Sequence, residues 1–264
     1  MTRPRRGASF WAVFLIVLGV ILLLQNLDAI GHVYVGPVIL IGLGIAVVAS
    51  AVFGRSGTGA SGGAIPLDGA TSATIRIDHG AGELRLTAGA SPGNLLDGEF
   101  FGSVEQVVNR SGDRLDVRIR ADRDVWEWWW ANRRGLDWRI ALASDVPTSL
   151  EIHAGASSSD LNLHDLAVTD LVLETGASKT EITAPARGRS SVRVRAGAAS
   201  VRIRIPGGTA ARIERGGLGL ASLDVDTHRF PSLGGNVYQS PDYGDAADRV
   251  DVRVEGGAAS FSVA

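Results

Sequence analysis

"LEIHAGASSSDLNL" (150–163) is followed within ten residues by "LVLETGASKTEIT" (171–183), and the two share one design. Each has apolar side chains at every second position, then a Gly-Ala-Ser corner, then a second alternating stretch. A period of two places the apolar set on one face of an extended chain, which excludes an amphipathic helix here.

The pattern continues outward from this pair. "VRVRAGAASVRIRI" (192–205), "ARIERGGLGLASLDV" (211–225) and "VDVRVEGGAASFSV" (250–263) follow it, and "IRIDHGAGELRL" (75–86) precedes it. The markers Gly155, Gly176, Gly197, Gly216 and Gly256, with Gly235 of "PSLGGNVYQS" between the last two, recur at close to constant intervals. A repeat of ~20 residues with strand alternation predicts stacked β layers, because one layer cannot bury its apolar side alone. The expected fold is a β-solenoid-like stack, with an antiparallel β-sandwich as the alternative. Leu150, Ile152, Leu161, Leu163, Leu171, Leu173, Val192, Val194, Val201, Ile203 and Ile205 are expected inside. Glu151, Arg193, Arg195, Arg202 and Arg204 are expected outside. The marker glycines are read as structural turns, permitting sharp bends, through positive φ where needed, without crowding the next layer.

Residues 95–145 interrupt the repeats. "VEQVVNRSGDRLDVRIRA" (104–121) reads as a hairpin turning at Ser111–Gly112. An insertion at 122–138 then carries five of the six tryptophans: Trp126, Trp128, Trp129, Trp130 and Trp138. An open end of a β stack needs covering, and indoles bury much area, so the run is expected to cap the core. Trp126, Trp128, Trp129 and Trp130, with Arg133 and Arg134 beside them, are also the candidate contacts for a membrane or a protein partner.

The front of the chain differs in kind. "FWAVFLIVLGVILLLQNL" (10–27) and "YVGPVILIGLGIAVVASAVF" (34–53) carry no charge, and each is about the ~20 residues that a spanning helix needs. A signal peptide would explain the first run but not the second, six residues later. The reading is a basic tail at 1–8, a transmembrane helical hairpin at 9–53, a Gly/Ser-rich linker at 54–66 and a β domain at 67–264. Arg3, Arg5, Arg6 and Arg55 flank the hairpin while its loop has no Lys or Arg, so both termini are expected in the cytoplasm.

Residues 55–264 hold 23 basic and 27 acidic side chains, and a mildly acidic domain does not suit nucleic acid. The chain has no cysteine, so disulfides and thiolate metal sites are excluded. His153, Asp160, His164 and Asp165 are the nearest approach to a ligand set, but Asp and His are ordinary turn residues in β stacks. No Gly-x-Ser-x-Gly elbow leads into a helix, and the "GAS" corners lack the Asp of calcium-binding repeats. No cofactor, metal or catalytic residue is expected, and the chain reads as a non-enzyme.

The paired apolar segments resemble the transmembrane region of LiaI/LiaF-type bacterial envelope-stress proteins. The stretch from Trp138 to Ser178, and the ending "GGNVYQSPDYGDAADRVDVRVEGGAASFSV" (234–263), resemble the toastrack β domain found with it. The resemblance implies a multi-pass regulator in the cell membrane that tunes the response to cell-wall damage, often by restraining a two-component histidine kinase. Its partners would be the lipid bilayer and a membrane or cytoplasmic signalling protein such as a sensor kinase, or a second copy. The competing expectation is an exported adhesin, or a glycan-binding or glycan-active β-helix.

Overall fold

The computed structural model describes residues 61–102, 104–121 and 137–264, which belong to one compact unit, Ser56–Ala264. The expected hairpin at 9–53 lies outside them. So do Trp126, Trp128, Trp129, Trp130, Arg133 and Arg134. The described residues contain strands and turns and no helix.

In chain order the strands begin with β1 (Ser61–Pro66), β2 (Ser72–Ala88), β3 (Asn94–Phe100), β4 (Val104–Ser111), β5 (Arg114–Ala121) and β6 (Trp138–Leu142). The regular part holds β7 (Thr148–Asn162), β8 (Val168–Thr175), β9 (Lys179–Thr183), β10 (Arg189–Ala196) and β11 (Ser200–Arg204). Then come β12 (Ala210–Leu218), β13 (Ser222–Val225), β14 (Ser232–Gly234), β15 (Val237–Gln239), β16 (Arg249–Gly256) and β17 (Ser260–Val263). β1 begins inside the stretch read as linker, so the β domain starts earlier than residue 67.

Each repeat is a rung with two arms. On one face β5, the first half of β2, the first half of β7, β8, β10, β16 and β12 run parallel and in register. On the other face β6, the second half of β2, the second half of β7, β9, β11, β17 and β13 do the same. At ~4.8 Å per strand the stack is ~29 Å deep. Antiparallel strands close its margins: β4 beside β5, β3 and then β1 beside β6, and β15 beside β12. The parallel stack matches the solenoid expectation and departs from the sandwich.

Alternation explains the packing. Val117, Ile75, Leu150, Leu171, Val192, Val252 and Ile213 form one unbroken interior file across the first face, each at most 2% exposed. Burying such a side chain contributes about 1.5–3 kcal/mol, so every rung is held chiefly by its neighbours. All eleven side chains expected inside are buried, and Arg193, Arg195, Arg202 and Arg204 are exposed.

Three expectations are corrected. The rungs do not stack in chain order: β2 lies between β5–β6 and β7, and β16–β17 lies between β10–β11 and β12–β13. The hairpin turns at Gly112–Asp113, one residue later than read, because Ser111 pairs with Arg114 and Gly112 takes φ +64°. Gly235 is no rung corner; it has φ +61° in the tight turn joining β14 to β15.

Candidate functional site

The bends carry the feature that the sequence only half announced. In five rungs a Gly-Ala pair turns the chain: Gly80–Ala81, Gly155–Ala156, Gly176–Ala177, Gly197–Ala198 and Gly257–Ala258. Gly219 continues the file on β12–β13. Gly216 and Gly256, expected as turns, sit one to three residues short of it, Gly256 within β16 and Gly216 at a shift in the β12 register. None of Gly155, Gly176 and Gly197 has positive φ; glycine is needed there for close approach alone. A Cβ at Gly176 would lie 3.1 Å from the Gly155 carbonyl oxygen, and one at Gly197 3.2 Å from that of Gly176.

Two residues before each of these glycines the side chain points out and is ionisable: Asp78, His153, Glu174, Arg195 and Glu255. Register aligns them into one row, which Arg120 of β5 begins. The row and the glycine bends line an open groove of about 910 Å³. His153 Nδ1 is 2.9 Å from Asp78 Oδ1, and its Nε2 is 3.3 Å from Glu151 Oε1 and 3.8 Å from Glu174 Oε2. Arg195 donates to Glu174 at 2.9 Å and to Glu255 at 3.3 Å. Arg253 donates to Glu255 at 2.8 Å and to Glu214 at 3.2 Å.

These contacts set the charge states. Hydrogen bonds to Glu174 and then Glu255 push the Arg195 guanidinium above its ordinary value. The hydrogen bond from Arg253, with a smaller one from Arg195, holds the Glu255 carboxyl below the usual carboxylate range. One row inward, Glu151 raises Arg76 in the same way, accepting from its Nε at 2.8 Å. Basic and acidic side chains thus alternate along the row and contact one another across adjacent strands.

The four residues weighed as metal ligands do not meet. His153 faces the groove, Asp160 stands on the opposite face near Arg85 at 3.9 Å, and His164 pairs with Asp165 at 2.7 Å in the turn after β7. Among the described residues no group of three or more His, Asp or Glu side chains is arranged to hold a metal ion. Trp138, the described tryptophan of the insertion, is fully buried, edge-on to His79 (5.0 Å) and Phe100 (5.5 Å).

One end of the stack gathers the chain's departures. Ser61 pairs with Phe100, and Phe100 pairs with Trp138, so the first described residue lies two strands from the return of the insertion. The chain leaves β5 at Ala121 and resumes β6 at Trp138, where the other rungs have a short bend. In the sequence, the tryptophan-rich run stands between these two arms where the other rungs have a Gly-Ala pair.

A family model described as the N-terminal domain of toast_rack, DUF2154, matches residues 55–204. The crystal structure of a protein from Clostridium sporogenes, provisionally described as a cell adhesion protein, shares the fold, with a TM-score of 0.68 at 16% identity. The match covers 78% of this chain and 98% of that one. No curated protein matches the chain.

Proposed function

The chain belongs to the toast-rack family, and from that membership we propose that it is a membrane-anchored, non-enzymatic regulator working through protein contacts of its β domain. The residues at 9–53 anchor it as a two-span hairpin with both termini cytoplasmic, and its process is the bacterial cell-envelope stress response. The observation that carries this reading is the toast-rack family match over residues 55–204. The chain enters the described residues at Ser61 and, after the insertion, re-enters the sheet at Trp138, two strands apart. The charged row suits protein contacts because complementary charge gives specificity and speeds encounter.

The test is made in cells. A fluorescent protein fused after Ala264 is expected to glow, and an alkaline phosphatase fused there to stay inactive. Deleting residues 56–264 is expected to change the response to cell-wall antibiotics while leaving the hairpin in the membrane. An active phosphatase would replace this reading with the second one, an exported adhesin or glycan-binding domain, which the fold shared with the Clostridium sporogenes protein favours.

A further inference from the structure

The two arms of the terminal rung end differently. On the first face β12 is covered by antiparallel β15, through Arg212–Gln239, Ile213–Tyr238 and Glu214–Val237. On the second face β13 pairs with β17 on one side, and no described residue pairs with the other. Ser222 N donates to the Ala259 carbonyl at 2.9 Å and Asp226 N to that of Val263 at 3.1 Å. Parallel pairing alternates the direction of backbone groups, so the N–H and C=O of Leu223 and Val225 face outward. An open edge of this kind is a ready template for another strand.

The bend beside it carries a larger apolar side chain than its counterparts on the other rungs. Leu220 stands where neighbouring bends carry Ala156, Ala177, Ala198 and Ala258, and it is 91% exposed. Leu233 on nearby β14 is 62% exposed, and these two are the most exposed large hydrophobic side chains among the described residues. Leu223 ends the interior file that runs through Thr180, Val201 and Phe261; those three are buried, whereas Leu223 is only half-buried. Beside it on the outer face, Asp224 makes no ion pair among the described residues.

We propose that β13 is a strand-addition site for an extended segment of a partner protein in which apolar and basic side chains alternate. The backbone ladder of Leu223 and Val225 would supply the pairing. Apolar side chains of the segment would complete the core file at Leu223 and cover Leu220, and a basic one would meet Asp224. The proposal rests on the reading of the domain as a protein-contact scaffold and names where that contact is made.

The probe is a fluorescein-labelled synthetic peptide alternating valine and arginine, titrated against the full chain in detergent micelles and read by anisotropy. Saturable binding is expected. Methylating alternate backbone amides of the peptide is expected to weaken it roughly tenfold or more, the scale of one or two lost hydrogen bonds. Leu223→Pro removes an outward N–H while leaving the donors to β17, at a position where an edge strand accepts proline, and is expected to act likewise. Leu223→Ala loses the same packing against the core but keeps the N–H, and is expected to bind more tightly than Leu223→Pro. Asp224→Lys leaves the ladder intact and is expected to shift preference to a valine–glutamate peptide. No saturable binding, or equal binding by the N-methylated peptide and by Asp224→Lys, overturns the proposal. That failure would leave the scaffold reading standing, since the fusions and the domain deletion test it separately.

Discussion

A Cβ placed on Gly155 would stand 2.4 Å from the carbonyl oxygen of Gly80, closer than any real side chain approaches backbone. The obstacle is main chain on an adjacent rung and cannot swing aside. Gly155→Ala is therefore expected to destabilise the domain by about 1–3 kcal/mol, as overpacking does in a core. Gly176→Ala and Gly197→Ala, with 3.1 and 3.2 Å available, are expected to cost less. Urea denaturation of the three variants gives the order directly; equal midpoints would contradict it.

The start of the fold can be located by truncation. Residues 56–264 are expected to fold alone with β-type circular dichroism and little helix. Residues 67–264 lack β1, which pairs with β3 along its length and buries Ile65 at 3% exposure. The shorter fragment is expected to melt several degrees lower, since losing even one buried isoleucine costs about 2–5 kcal/mol. Identical melting of the two would show β1 to be dispensable.

Acid should weaken the charged row in a defined direction. The Glu255 carboxyl is held below its unfolded value, chiefly by Arg253 and also by Arg195. It contributes stability above the unfolded value of about 4.3, and that contribution is lost as pH falls through the lower, folded value. Glu255→Gln is expected to be less stable than the parent at neutral pH. The gap should close in strong acid and shrink in high salt, because Arg195 and Arg253 are exposed and Glu255 is only half-buried. A gap independent of pH would assign the effect to packing.

The four tryptophans of the insertion that lie outside the described residues are tested against Trp138, the one inside. Trp138→Ala is expected to cost about 3–5 kcal/mol, because it empties a core site shared with Phe100. Replacing Trp128, Trp129 and Trp130 together by Ser is expected to lower the melting temperature of residues 56–264, if these indoles cap the end of the stack. Unchanged melting with loss of binding to anionic vesicles would make the run a membrane foot instead.

Much of this fold was legible because alternation and spacing are local. His153, Glu174 and Arg195 lie 21 residues apart, and β7, β8 and β10 stack in chain order, so sequence phase and spatial phase coincide. Beyond β11 that coincidence fails. Which rung lies beside which depends on pairings between distant segments, and nothing in "VDVRVEGGAASFSV" says that it slots beside β10. The same error displaced the glycine markers: aligning Gly256 and Gly216 with Gly197 hid the true file through Gly257 and Gly219. The charged row had a visible signal, an ionisable residue two places before each bend glycine. An ionisable residue at an outward position is also what any solvated strand face shows, so this signal does not by itself mark a site.

The displaced rung also bears on synthesis. β12–β13 leaves the ribosome well before β16–β17, the rung that its parallel strands lie against. Until residues 249–263 emerge, its apolar arm faces β10–β11 across a missing layer. The nascent chain must either hold that gap open or fill it wrongly, with β12–β13 sliding onto β10–β11. Both sites accept the same alternation, so a wrongly placed β12–β13 would be an occupant of nearly matching pattern that the late rung must displace. A chain that ends before residue 249 therefore lacks an interior layer of the stack and not a loose tail.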